Sequence, residues 1–173
     1  MSELREHIRD IPDFPKQGIL FKDITPLLRD ATAFTRTIDR LAERHAGDEV
    51  EIVAAIESRG FIFGGALAVR LGAGLDPIRK PGKLPYDTLS QTYTLEYGTD
   101  TLEVHSDAIA RGNRVLVLDD LLATGGTAGA ALDLVRQAGG RLVGVSFVIE
   151  LAFLGGRAKL GDTPVSSLIR YDA

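Results

Sequence analysis

Val115-Leu-Val-Leu-Asp119-Asp120-Leu-Leu-Ala123-Thr124-Gly125-Gly126-Thr127 joins three kinds of sequence in one run. Apolar β-formers lead straight into two carboxylates, and a Gly-Gly turn flanked by hydroxyls opens onto Ala128-Gly-Ala-Ala-Leu-Asp-Leu-Val-Arg136. The pattern reads as strand, loop, helix. An unbroken apolar run is that of a strand buried on both faces, as in a parallel sheet. In such sheets ligands bind beyond the carboxyl ends of the strands, where this loop lies. Gly125 and Gly126 let the backbone turn tightly and present its N–H groups, Thr124 and Thr127 add hydroxyl donors, and the following helix offers its positive N-terminal end. Together these make a cradle for one phosphate.

Asp119 and Asp120 would repel a phosphate unless they faced something else. Ionised aspartate only accepts hydrogen bonds, and each hydroxyl of a vicinal ribose diol can donate one. The loop therefore suits a ribose 5-phosphate. The bland alternative is a strand ending in solvated aspartates, with a turn and an N-cap threonine. That would suffice for a bare Gly-Gly turn, but hydroxyl-bracketed glycines after an acidic pair favour the cradle.

Outward from this run, the 173 residues suit a single domain, 1–173, with a substantial core. Charged residues make up 25% and apolar ones 45%, as in a soluble globular protein. A net charge of −4 and a pI near 5.4 argue against a nucleic-acid partner, and no basic cluster offsets them. The absence of cysteine excludes disulfides, thiolate chemistry and zinc-thiolate sites. No apolar stretch reaches membrane-spanning length and Met1 to His7 has no signal-peptide core, so no membrane partner and a cytoplasmic location are expected.

Along the chain, Ser2 to Arg9 reads as helical. Ile11 to Gly18 breaks regular structure with two prolines, Ile19 to Ile24 alternates, and Thr25-Pro26 reads as another turn. Ala33 to His45 has helical period, with Phe34, Ile38, Leu41 and Ala42 on one face and Gly47 as the candidate cap. Val50 to Ile56 reads as a strand ending in the charged loop Glu57-Ser58-Arg59-Gly60. Phe61 to Leu71 reads as a helix in which Gly64-Gly65 permits close packing. Gly74 to Arg79 reads as a short strand that Pro77 either places near an edge or makes irregular. Lys80 to Thr92 has the composition of a mobile, lid-like loop. Gln91 to Tyr97 and Thr101 to Val104 form a hairpin around Gly98. After the helix Thr127–Ala138, a strand is expected over Arg141 to Glu150, a helical turn over Gly156 to Leu160, and a closing strand over Val165 to Arg170. Alternating strands and helices define an α/β fold with a mostly parallel sheet. His7, His45 and His105 have no motif around them and read as surface or helix-face residues.

VLVLDDLLATGGT resembles the phosphoribosyl-pyrophosphate motif of the type I phosphoribosyltransferases, in the form used by the adenine-specific branch of that family. PDFPKQGILFKDITPLL, from Pro12 to Leu28, is similar to the N-terminal signature of the same branch, with Gln17 where relatives often have proline. Leu95-Glu96-Tyr97-Gly98 matches its LEYG pattern. The resemblance spans Pro12 to Tyr171. It implies the type I phosphoribosyltransferase fold: a mostly parallel central sheet flanked by helices, an N-terminal arm and hood over 1–30, and a mobile loop plus β-hairpin over 80–105.

What the family does implies transfer of phosphoribose from phosphoribosyl pyrophosphate to N9 of adenine, giving AMP and pyrophosphate, with Mg²⁺ held mainly by substrate and water rather than by a protein metal site. On that footing Asp119, Asp120, Ala123, Thr124, Gly125, Gly126 and Thr127 hold the phosphoribosyl group. Glu57, Ser58, Arg59, Arg79, Lys80 and Lys83 serve the pyrophosphate, although Lys83 alone is as readily a solvated surface charge. In relatives the loop equivalent to Glu57-Ser58 holds a non-proline cis peptide that turns N–H groups toward pyrophosphate, so a cis bond is expected here. Leu20, Phe21 and Lys22 of the hood would bind adenine partly through their backbone. The catalytic candidates are Arg59, which would stabilise the leaving group, and Glu96, which would pair with the purine N7. Relatives also imply a homodimer. Two other readings compete: a phosphoribosyltransferase for xanthine or guanine, which the hood and LEYG disfavour, and a non-catalytic phosphoribosyl-pyrophosphate-sensing regulator, for which no segment is free to bind DNA.

Overall fold

A computed structural model describes residues 2–94 and 98–173. The expected catalytic Glu96, with Leu95 and Tyr97, lies outside the described residues. The chain begins with α1 (Ser2–Arg5), and then Arg9–Ile11 (β1) pairs antiparallel with Phe21–Asp23 (β2), Arg9 opposite Asp23 and Ile11 opposite Phe21. The helix expected to run to Arg9 is thus short. An isolated helix of two turns is marginal in water, and the last residues satisfy their backbone on β2 instead. Pro12 to Gly18 forms the connection, with a cis Phe14–Pro15 bond. Thr25-Pro26, expected as a turn, opens α2 (Thr25–Arg29): proline in the first helical turn gives up an N–H that has no intrahelical acceptor. Asp30 then accepts the Ala33 N–H at 2.9 Å and caps α3 (Ala31–Arg44). α3 ends on His45, whose N–H donates to Ala42, so Gly47 lies beyond the cap.

The remaining elements are β3 (Ile52–Ile56), α4 (Gly60–Leu71), β4 (Gly74–Ile78), β5 (Thr88–Thr94), β6 (Thr99–His105), β7 (Arg114–Leu122), α5 (Gly126–Gln137), β8 (Arg141–Leu151) and β9 (Val165–Tyr171), with 3₁₀ turns at Ala152–Leu154 and Gly156–Lys159. Among the described residues the central sheet runs β4-β3-β7-β8-β9, and each neighbouring pair is parallel. β7 holds the middle, as its apolar run requires. Val115 to Leu118 are fully buried, and successive residues serve opposite faces: Leu116 and Leu118 pack with Leu41, Phe63 and Leu67, while Val115 and Val117 pack with Leu132, Val135 and Phe147. β4 is an edge strand, as Pro77 demands. A Cβ on Gly64 would come within 2.5 Å of the Ala55 Cβ, so the glycine lets α4 lie directly on β3.

Two boundaries differ from the sequence reading. β7 does not stop at Leu118 but continues through both aspartates to Leu122, because β8 extends beside it and pairs Asp119 with Phe147, Leu121 with Ile149 and Leu122 with Glu150. The loop expected over Lys80 to Thr92 ends earlier. Thr88 to Thr94 alternates, Leu89 and Tyr93 reach the core, and the segment pairs with β6 in full register from Thr88–His105 to Thr94–Thr99.

Candidate active site

Three strands of the parallel sheet deliver their following residues to one end. β3 leads to Glu57-Ser58-Arg59, β4 to Arg79 and Lys80, and β7 to Ala123–Thr127. There they surround a cavity of about 390 Å³. Glu57, Ser58, Arg59, Lys80, Asp119, Asp120 and the loop from Ala123 to Thr127 line it, and Arg59 meets Asp120 within it.

The loop is set by backbone constraints. Gly125 has φ +82°, a left-handed conformation that favours glycine, and a Cβ there would sit 2.2 Å from the carbonyl oxygen of Gly156. No side-chain cap is made to the N-terminus of α5 among the described residues, and its first residues Gly126, Thr127 and Ala128 line the cavity. The free N–H groups and the positive end of a helix are what an anion needs. The Thr127 hydroxyl also lies 3.2 Å from the Tyr93 hydroxyl of the hairpin.

The two aspartates divide. Asp120 is buried and takes the Arg59 Nε–H at 2.5 Å, whereas Asp119 accepts the backbone N–H of Asp120 at 2.8 Å. Burial pushes the Asp119 carboxyl well above the usual carboxylate range, and the adjacent charge of Asp120 adds to the rise. Burial disfavours the Arg59 charge, but the hydrogen bond to Asp120 and the nearby carboxylates overcome it and hold the guanidinium pKa above its ordinary value. Arg59 is therefore a donor fixed in place by Asp120 at the wall of the cavity.

Next to Arg59, the Glu57–Ser58 bond is cis, as the resemblance leads one to expect. Burial works against the Glu57 charge, yet Lys83, the Lys80 N–H at 2.9 Å and Arg79 Nε at 3.3 Å hold its carboxyl below the ordinary range. Arg79 and Lys83 thus gather at the rim on one glutamate. The Lys80 ammonium is bound by Asp100 and lies 3.2 Å from the Tyr93 hydroxyl. The hood reaches the site through Phe21, whose ring is 5.7 Å from the Arg59 guanidinium and 5.1 Å from the Phe14 ring. Leu20 is exposed, while the Lys22 side chain turns away onto Asp10 and the Tyr171 ring.

Tyr93, Asp100 and Gly156 were missed in the sequence reading. Tyr93 and Asp100 belong to an ordinary-looking hairpin, and only the Gly155-Gly156 pair carried any signal for the third. His45 is also not a surface residue: its ring nitrogens bind Asp48 at 2.7 Å and Ser146 at 2.6 Å. The Ser146 hydroxyl is fully buried away from the cavity, so this Asp–His–Ser chain ties α3 to β8 and offers no nucleophile.

Residues 27–162 match the phosphoribosyl transferase domain. The chain is 57% identical over 171 residues to the adenine phosphoribosyltransferase of Geobacter metallireducens, covering 99% of this chain and 100% of that protein. The crystal structure of adenine phosphoribosyltransferase from Thermoanaerobacter pseudethanolicus is 54% identical, with a TM-score of 0.96 over 98% of this chain and 99% of that one. That of the Saccharomyces cerevisiae enzyme, complexed with an imino-altritol bisphosphate and adenine, is 43% identical, with a TM-score of 0.91 over 96% and 97% of the two chains. The chain belongs to the phosphoribosyltransferase family. Within that family, the relatives it resembles along its length carry the name adenine phosphoribosyltransferase.

Proposed function

We infer that this chain transfers the 5-phosphoribosyl group from phosphoribosyl pyrophosphate to N9 of adenine, releasing pyrophosphate and giving AMP. The observation that carries the reading is that one cavity is lined by the helix N-terminus behind Gly125, which has no side-chain cap, by the Arg59–Asp120 pair and by the Glu57–Ser58 turn. The likeness to adenine phosphoribosyltransferases over 99% of the chain supports the choice of base.

In this reading Thr124 to Thr127 take the 5-phosphate and the Asp119 and Asp120 carboxylates face the ribose diol. The raised proton affinity of Asp119 in the cavity fits this role, because hydroxyl donors would stabilise its anion and favour sugar binding. Bond breaking at C1′ gives the sugar oxocarbenium character and the departing pyrophosphate negative charge. Arg59, already held in place by Asp120, would stabilise that charge without reorganising, and the cations at the rim would add to it by turning from Glu57 and Asp100 toward the pyrophosphate. The donor set fits Mg²⁺ brought by the substrate. Three carboxylates, Glu57, Asp119 and Asp120, line the cavity, and among the described residues they do not form a group of three or more His, Cys, Asp or Glu side chains that could hold a metal alone. When bound, Mg²⁺ supplies further neutralisation of the pyrophosphate. Glu96 is the residue proposed to handle the proton relation at N7, and the backbone of Leu20, Phe21 and Lys22 to read the adenine edge. The reading extends to a homodimer in the cytoplasm. Of that extension, the structure bears only on membrane contact: no helix among the described residues is long and apolar enough to cross a membrane.

A steady-state assay of adenine, guanine, hypoxanthine and xanthine with phosphoribosyl pyrophosphate and Mg²⁺ tests the proposal. Adenine is expected to dominate. Guanine presents the opposite polarity at positions 1 and 6 and should be disfavoured by about 10⁴-fold, as in sites that leave buried polar groups unpaired. Comparable turnover of guanine would contradict the adenine assignment.

A further inference from the structure

We propose that Glu150 and Arg157 form a positioning clamp for the phosphate cradle, acting through the turn at Gly155–Gly156. The proposal rests on the reading of Thr124 to Thr127 as the 5-phosphate site. Glu150, the last residue but one of β8, lies beside Leu122 of β7, the last strand residue before the cradle. Its side chain is 3% exposed and takes a two-pronged hydrogen bond from Arg157, Nε to Oε1 and Nη2 to Oε2, both at 2.7 Å. The Ser167 hydroxyl donates to the same carboxylate, and Arg170 Nη1 lies 3.7 Å away. Arg157 also reaches the Val165 carbonyl at 3.2 Å, so one guanidinium ties the turn Gly156–Lys159 to both β8 and β9.

That turn bears directly on the cradle. A Cβ on Gly156 would lie 2.3 Å from the Ala123 carbonyl oxygen and 3.1 Å from the Gly125 nitrogen, and one on Gly125 would lie 2.2 Å from the Gly156 oxygen. A Cβ on Gly129, in the first turns of α5, would meet the Lys159 carbonyl at 3.4 Å. Backbone therefore rests on backbone along the whole seam, and a shift of the turn must shift the cradle. Neither Glu150 nor Arg157 lines the cavity. A planar fork on a carboxylate is directional, whereas the net stability of a buried ion pair is small. The contribution of the pair is geometric, and it holds the N–H groups of the cradle at the spacing a phosphate needs.

Calorimetric titration with ribose 5-phosphate and, separately, with Mg²⁺-pyrophosphate tests the clamp in Glu150→Gln, Arg157→Ala and Arg157→Lys, with melting temperatures alongside. Glu150→Gln and Arg157→Ala should weaken ribose 5-phosphate by roughly 10- to 100-fold, the span that a small misplacement costs, and leave pyrophosphate affinity unchanged. Arg157→Lys keeps the charge, loses the fork and should fall between. If Arg157→Ala fails to fold, the volume-conserving Glu150→Gln carries the test. A lowered melting temperature with unaltered ribose 5-phosphate affinity, or equal loss of both ligands, would overturn the clamp. The double variant Thr124→Ala with Thr127→Ala separates the two readings: if it weakens ribose 5-phosphate while the clamp variants do not, the cradle stands and the clamp falls. If it leaves ribose 5-phosphate unaffected, the cradle assignment fails and takes the clamp with it.

Discussion

The two walls of the cavity are built by different means. The cradle from Ala123 to Thr127 rests on close backbone contact with Gly156 and on the buried side chains of Leu122, Ala128 and Leu160. The part around Glu57 and Lys80 rests on long side chains in ion pairs: Lys83 and Arg79 on the mostly buried Glu57, with the two cations 47% and 33% exposed, and Lys80 on Asp100. Backbone seams of the first kind cannot slide without disturbing the core. Long cationic side chains that reach into solvent can swing from a carboxylate to an anionic ligand without moving the backbone, while the Lys80 N–H stays on Glu57. The difference suits a substrate whose 5-phosphate keeps its place while its pyrophosphate must arrive and leave.

Substitutions on either wall should therefore fail in different ways. The largest effect is expected on the chemistry. Glu96→Gln should lower kcat by roughly 10²–10⁴-fold, the span of a positioned acid or base, while phosphoribosyl pyrophosphate affinity stays nearly intact. Stopped-flow and steady-state kinetics would show the split, and a near-normal kcat in Glu96→Ala would remove this residue from the chemistry. Next is the cradle. Gly125→Ala combines a positive φ with a Cβ driven into the Gly156 carbonyl, so urea unfolding should show a loss of about 3 kcal/mol or more, with the 5-phosphate site lost. Gly82→Ala in the rim loop sharpens the contrast. Its φ of +75° is also left-handed, but nothing lies within 4 Å of the added Cβ, and the cost should be only about 1–2 kcal/mol. Equal costs at the two glycines would erase the distinction between the walls.

The smallest effect concerns the hood. The Thr25 hydroxyl and N–H, with Arg9, lower the Asp23 carboxyl from 3.8 to about 2. A carboxyl with a lower pKa in the folded state stabilises the fold above its unfolded pKa and loses that contribution as pH falls through the folded one. Amide exchange at Thr25 should therefore quicken as pH drops from about 3.8 toward 2, relative to the intrinsic rate, and Asp23→Asn should remove that pH dependence. Exchange that follows the intrinsic rate in both proteins would show that Asp23 does not tie the hood down.

The elements legible in the sequence were those whose own residues carry the signal. Val115 to Leu118 announced a doubly buried strand, α3 its apolar face, and Pro77 an edge. The residues from Glu57 to Arg59 and from Ala123 to Thr127 were legible as loops at strand ends, and the structure brings them to one cavity. What could not be read depends on partners far along the chain. Arg9 to Ile11 is a strand only because Phe21 to Asp23 lies beside it. β7 carries both aspartates within the strand only because β8 runs on past Phe147. The division of labour between Asp119 and Asp120 follows from which of them meets Arg59, a residue between β3 and α4. Gly156 belongs to the cradle through packing that no local pattern encodes.

The most direct test of the whole account is a crystal structure of the complex with AMP. The account predicts phosphate oxygens on the backbone N–H groups of Gly125, Gly126 and Thr127, the ribose diol on the carboxylates of Asp119 and Asp120, and the base against the strand Leu20-Phe21-Lys22. Phosphate density elsewhere on the sheet, with the cradle empty, would contradict it.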